Sequence, residues 1–334
     1  MMLYSKRNMG IVADNLNRRV SIFDADTLQA LQQIPIDADV IDVAVTRDCR
    51  RAVVSSFVDK KMFQLDLSGS SVTVIGSATA DTFLEDVTLT PDGRYALSVD
   101  GAAANQDIVV YSLADNAFVS SLPANAQAVA VSPNGNGLVL TAVEDNKSVR
   151  RYTISSGGEI IDSDQEFPAG PGPVNIDFSP DGNFAFVSGY TYQNVSVLST
   201  ILPDNISLIS TDEAFAAQSM AVSRDGKHLF VLGTNDVAIF AFDPIAGYLS
   251  FERSFAHGLK ISSYLGVDQI ALNASETRLF ISGEGEVAAF TTYGVKLGSV
   301  ADVSGPGGLA IYQASPCRRR CFALLGLLLI IALT

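Results

Sequence analysis

The chain holds two histidines, three cysteines and 36 acidic side chains, groups suited to proton transfer, thiol chemistry and cation binding. His228 follows the turn Asp225-Gly226-Lys227 at the start of a strand-like run, which predicts a surface position. His257 falls in a loop with Glu252, Arg253 and Lys260 nearby, where it could serve as a general base. Two histidines and scattered cysteines give no zinc-site spacing. Asp24-Ala25-Asp26 and Asp37-Ala38-Asp39 lack the glycine and distal glutamate of an EF-hand loop and read as turn acids. Glu284-Gly285-Glu286 reads as a tight turn with solvent-facing acids. No phosphate-cradling glycine-rich loop opens a helix, because almost nothing in the chain reads as helix.

The elements that must position these groups are strands, organised by a repeat. Phe178-Ser179-Pro180-Asp181-Gly182 ends one alternating run and leads into another, Phe184 to Val187. The pattern returns at Leu89-Thr90-Pro91-Asp92-Gly93, Val131-Ser132-Pro133-Asn134-Gly135 and Val222-Ser223-Arg224-Asp225-Gly226. Degraded copies stand at Val45-Thr46-Arg47-Asp48-Cys49 and Leu272-Asn273-Ala274-Ser275-Glu276. The anchor aspartate bonds its own backbone and the glycine takes a positive φ, so a turn role outweighs a chemical one. Cys49 and Glu276, standing in the glycine place, predict slightly different turns there.

Anchors recur every 39 to 50 residues, from Asp48 to a last one at Ala314. Each interval holds four short strands, for example Tyr95 to Val99, Asp107 to Ser112, Ala117 to Leu122 and Gln127 to Ser132. That is the period of a propeller blade. The N-terminus supplies three strands with no inner strand before them, and Gly308 to Tyr312 an inner strand with nothing after it. The prediction is an all-β, seven-bladed propeller over residues 8–313. One C-terminal and three N-terminal strands close it, which removes the exposed edge.

Gly10-Ile11-Val12-Ala13-Asp14-Asn15 followed by Arg19-Val20-Ser21-Ile22-Phe23-Asp24 resembles the YVTN-type repeat, and the Ser-Pro-Asp-Gly anchors resemble the related lactonase-type seven-bladed propellers. The chain has no Trp, so the Trp-Asp ending of WD40 strands is absent. The lactonase resemblance implies Gly-Pro-Arg-His before an inner strand, with the Arg and His serving at the central channel. Here Gly172-Pro173 is followed by Val174 and Asn175, and no other blade restores the pair. The equivalent positions instead predict an acidic, amide-rich channel mouth of Asp42, Glu85, Asp86, Gln127, Asn175, Gln218, Asp268 and Gln269. Such a ring would accept a hard cation such as calcium, a cationic group or a polyhydroxyl compound; the bland alternative is a solvated entrance with no ligand.

Charge narrows the partners further. Of 22 basic residues three are Arg318, Arg319 and Arg320, leaving 19 against 36 acids in the body. That balance repels nucleic acid, which is excluded as a direct partner. Residues 314–334 form a tail in which Cys317-Arg318-Arg319-Arg320-Cys321 precedes the apolar run Phe322 to Leu333. The run is short for a span of about 30 Å, and association with a membrane or the cell envelope is the expectation. Met1 to Met9 lack an apolar segment, so no signal peptide is expected in the chain as written. The reading is a non-enzymatic binding scaffold that needs no cofactor, for a protein or a glycan-like or small polar ligand. Its rival is a divergent lactonase-like hydrolase working through Glu85, Asp86 or His257.

Overall fold

A computed structural model describes residues 7–101, 107–144, 146–214, 216–261, 267–303 and 306–314. Seven four-stranded antiparallel sheets are ordered around a channel. We number the blades by their inner strands: Val40–Val45 (blade 1), Val87–Leu89 (2), Ala128–Val131 (3), Pro173–Phe178 (4), Ser219–Val222 (5), Ile270–Leu272 (6) and Pro306–Ala314 (7). Each inner strand touches the inner strand of the next blade all the way round. Blade 7 is closed as expected: Pro306–Ala314 pairs with Arg7–Asp14, and Arg19–Asp24 and Ala30–Pro35 follow outward. The tail prediction concerns residues beyond 314 and lies outside the described residues; among those, no helix is long and apolar enough to cross a membrane.

The inner and middle strands are largely buried on both faces, because alternate side chains serve alternate neighbours. Phe184 and Phe186 pack with Met220, Leu229 and Phe240 of blade 5, whereas Ala185 and Val187 pack with Leu140 and Val149 of blade 3. Seven apolar clusters result, one for each junction between blades. The fourth strand has no outer neighbour and alternates exposed with half-buried residues, as in Thr73–Thr79. Its pairing is interrupted by a register shift in all seven blades. A bulge at the rim makes that edge a poor template for another strand.

The anchor turns hold as predicted. Thr46, Thr90, Ser179 and Ser223 donate their hydroxyls to Asp48, Asp92, Asp181 and Asp225 at 2.6–2.7 Å. Each aspartate also accepts the backbone N–H two residues on. Gly93, Gly135, Gly182 and Gly226 take φ between 67° and 78°. One expectation is corrected. Cys49 and Glu276 do not change the turn: they adopt φ of 57° and 56°, and Cys49 N–H still bonds Thr46 O at 2.7 Å. The hydrogen-bonded turn overrides the side chain's aversion to left-handed backbone.

Candidate functional site

The inner strands begin at one end of the channel, and the eight predicted mouth residues gather there. Backbone pairing fixes their level. Glu85, Gln127 and Gln218 each donate N–H to the second strand of their own blade, to Val99, Ala142 and Leu232 O at 2.8–2.9 Å. The next position then faces the neighbouring blade. Asp42 accepts Val87 N–H at 2.9 Å and Asp86 accepts Val129 N–H at 2.7 Å, so each carboxylate latches its blade to the following one. Ser219 does the same with its hydroxyl, accepting Gln269 N–H at 3.1 Å. Gly308 stands at this level in blade 7, and a Cβ there would overlap Asp42 Oδ1. The glycine makes the room that the carboxylate occupies.

The mouth is drier than a solvated entrance. Asp42, Glu85, Asp86, Asn175, Gln218 and Gln269 are buried, with at most 7% exposed, and only Gln127 and Asp268 are half-buried. Asp42, Asp86 and Asp268 act on one another, and Asn175 donates to Asp268. Asp177, two residues along the same strand face from Asn175, adds a fourth carboxyl to this group; its Oδ1 accepts Phe178 N–H at 2.7 Å. Glu85 sits apart, against Asp100 and Gly101, and Gln127 donates to Glu144 at 3.2 Å. Gln218 Oε1 and both amide atoms of Gln269 have no hydrogen-bond partner among the described residues.

Protonation follows from this crowding. Burial, then the charges of Asp42 and Asp268, push Asp86 well above the usual carboxyl range. Burial raises Asp42 and, with the Asp42 charge added, Asp268. Asp177 reaches about 7 through burial and Asp268, and Glu85 about 7 through burial and Asp100. The charged groups acting on these five are acids, so near neutral pH the cluster holds protons rather than a full set of charges. Among the described residues no group of three or more His, Cys, Asp and Glu side chains is arranged to hold a metal ion. Past the ring the channel continues as a cavity of about 300 Å³ whose lining includes Ala44, Thr88, Asp268 and Ala310.

Several candidates outside the ring are placed by the same geometry. His257 is not an open-loop base. It is 3% exposed, its Nδ1 accepts Leu259 N–H at 3.1 Å, and its Nε2 therefore carries the proton donated to Gly233 O at 3.1 Å. Both nitrogens are engaged and burial lowers its pKa, so the imidazole stays neutral. His228 is on the surface as expected, with 41% of its side chain exposed and Glu252 3.9 Å away. Asp24 is a turn acid, accepting the N–H groups of Asp26 and Thr27, whereas Asp39 reaches the turn that follows Arg51–Ser56 and accepts Val58 N–H there. Glu284 and Glu286 pair with Lys260 and Lys296 at 2.7 and 3.0 Å.

Comparison with known proteins agrees with this architecture. No protein-family model and no curated protein matches the chain. Among solved structures, a functionally unknown protein from Desulfotomaculum acetoxidans is 38% identical, with a TM-score of 0.89 over 92% of this chain and 100% of that one. The periplasmic gluconolactonase of Pseudomonas aeruginosa shares the fold at 17% identity and a TM-score of 0.77, covering 93% of this chain and all of that one. Hydrazine synthase from Kuenenia stuttgartiensis does so at 15% identity and 0.69, over 84% of this chain and 92% of the other. One disc thus carries proteins with unlike names, and the particular side chains must decide the chemistry.

Proposed function

We propose, for a chain that belongs to one family with the Desulfotomaculum acetoxidans protein and has the lactonase-like seven-bladed propeller fold, a non-enzymatic binding role in which the channel mouth takes a small polyhydroxyl or cationic ligand. The observation that carries this reading is the Gln269 amide: fully buried, beside Asp268, with neither its oxygen nor its nitrogen bonded among the described residues. A buried amide left without partners costs about 1–3 kcal/mol per group. A hydroxyl offers both a donor and an acceptor, and the adjoining carboxyls and Gln218 Oε1 accept further donors. The Val174 side chain is wholly buried, and Asn175 is committed to Asp268. Neither supplies the cation that an anionic substrate would need.

Hydrolysis is the second reading, and one observation favours it. Glu85 and Asp177 near 7 are poised for proton transfer. His257 no longer contributes, since both ring nitrogens are bonded. The two readings separate in one set of variants. Gln269→Leu and Asp268→Asn are titrated calorimetrically with monosaccharides, a polyamine and calcium, and assayed in parallel on a panel of lactones. The binding reading expects at least tenfold weaker binding of one probe by both variants and no lactone turnover by the parent. Turnover that is lost in Glu85→Gln or Asp177→Asn would replace it with the hydrolase.

The apolar run Phe322 to Leu333 after Arg318–Arg320 supports presentation of the disc at a membrane or cell envelope. Fractionating the full chain beside one ending at Gln313 tests this. Pelleting of the full chain alone supports an anchor, and equal solubility of the two overturns it.

A further inference from the structure

At the opposite face of the disc, where inner strands turn into second strands, the acidic surface is interrupted. Arg47, Arg50 and Arg51 fall within five residues and line a cavity of about 360 Å³ between the anchor turns of blades 1 and 2. In a chain with 36 acids, arginines usually find a carboxylate. Arg7, Arg18, Arg19, Arg94, Arg150, Arg151 and Arg253 each hold one within 3.4 Å. None of the three notch arginines does so among the described residues.

Their few bonds go to neutral acceptors: Arg47 to Pro133 O and Arg51 to Leu113 O, both at 3.1 Å. The Arg50 guanidinium makes no hydrogen bond among the described residues. The acids that face the notch are already committed. Asp48 accepts from Thr46 Oγ1 and Arg50 N–H, Asp92 is ion-paired to Arg94 at 2.6 Å, and Asp66 accepts from Ser68. Arg47 and Pro91 also line the channel cavity, so the notch opens onto the far end of the channel.

We propose that this notch is an oxyanion site, taking the phosphate group of a small metabolite. Three arginines lining one cavity, with the Arg50 guanidinium unbonded among the described residues and Arg47 and Arg51 each holding a single carbonyl, offer forked donors to phosphate oxygens, an arrangement that single ammonium groups do not reproduce. The volume suits a phosphorylated compound of small-metabolite size. Asp48 acts on Arg50 and Arg51, and Asp66 on Arg51, through space without bonding their guanidiniums, so N–H donors remain for an external anion. The site is independent of the channel mouth and of the ligand proposed there.

The test is calorimetric titration of the full chain with inorganic phosphate at constant ionic strength, beside Arg47→Ala/Arg50→Ala and Arg224→Ala. Arg224 is an exposed arginine of blade 5, so its removal changes net charge without touching the notch. The expected result is saturable binding, weakened at least tenfold in the double variant and within twofold of the parent in Arg224→Ala. Arg50→Ala alone, which removes no hydrogen bond seen among the described residues, serves if the double variant fails to fold. Absence of saturable binding, or equal weakening by Arg224→Ala, overturns the proposal. So does binding seen only with phosphatidylglycerol vesicles and never with free phosphate, which would make the notch a lipid-surface contact.

Discussion

Asp177→Asn isolates the electrostatic cost of the channel cluster. The side chain latches no neighbouring blade, and an asparagine oxygen can still accept Phe178 N–H. What the change removes is the need to ionise a half-buried carboxyl beside Asp268. The folded pKa is raised from 3.8 to about 7, so this carboxyl contributes its full stability only below about 3.8. The contribution is lost as pH rises through the folded value and is flat above it. Over the whole window that is about 4 kcal/mol, and between pH 5.5 and pH 8.5 about 2 kcal/mol. A chain of this length unfolds with an entropy of about 0.7 kcal/mol per degree, so 2 kcal/mol is about 3 °C in Tm. Urea titration and calorimetric melting of parent and variant at the two pH values are the assay. The variant should gain on the parent by about 3 °C on going from pH 5.5 to 8.5. A gap that stays constant, or that narrows, would show that the carboxyl is solvated and that the account of the mouth as a dry, proton-holding cluster is wrong.

Asp86→Ala leaves Val129 N–H without its acceptor and should cost about 1–3 kcal/mol in urea unfolding at pH 5.5, whereas Asp86→Asn keeps an acceptor and relieves repulsion, so at pH 8.5 it should equal or exceed the parent. Gly93→Ala and Gly182→Ala test the anchor turns. The first meets nothing closer than 3.4 Å and should cost about 1 kcal/mol for left-handed backbone alone. The second places a Cβ 2.7 Å from Ser132 Oγ and should lower Tm further, to about twice the loss. His257→Phe strands Leu259 N–H and Gly233 O and should destabilise by about 1–3 kcal/mol, while leaving any lactone turnover unchanged; a selective loss of turnover in a folded variant would restore it as a base.

The disc was legible because its signals are local and repeated. A Thr or Ser hydroxyl, an aspartate and a glycine specify one turn wherever they occur, and Tyr95 to Val99 or Asp107 to Ser112 are short apolar runs bounded by turn residues, buried on both faces. Closure of blade 7 was equally readable, since three unpartnered strands at one end and one at the other can satisfy their backbone groups only together. Cys49 and Glu276 misled because the turn's hydrogen bonds, not the residue at its end, decide the conformation.

The mouth was legible as a position but not as an environment. Counting along the repeat found Asp42 and Asp86 at equivalent positions and Asp268 one residue earlier in its blade, yet nothing in the spacing said that the carboxylates of Asp42 and Asp86 would reach across to the next blade's N–H. Sequence order also hid Asp177, which needed only the strand's period of two, since Asn175 and Asp177 share a face. The same latch explains how this channel tolerates Asp42 and Asp86, on which the charged groups that act are acids. Val87 and Val129 N–H groups must be satisfied at each blade junction, and an aspartate that does so holds the ring together even when protonated, because its carbonyl oxygen still accepts. The cluster can therefore gain or lose protons, or exchange them for a bound donor, without opening the disc. That separation of blade closure from charge is what suits the mouth to the ligand proposed for it.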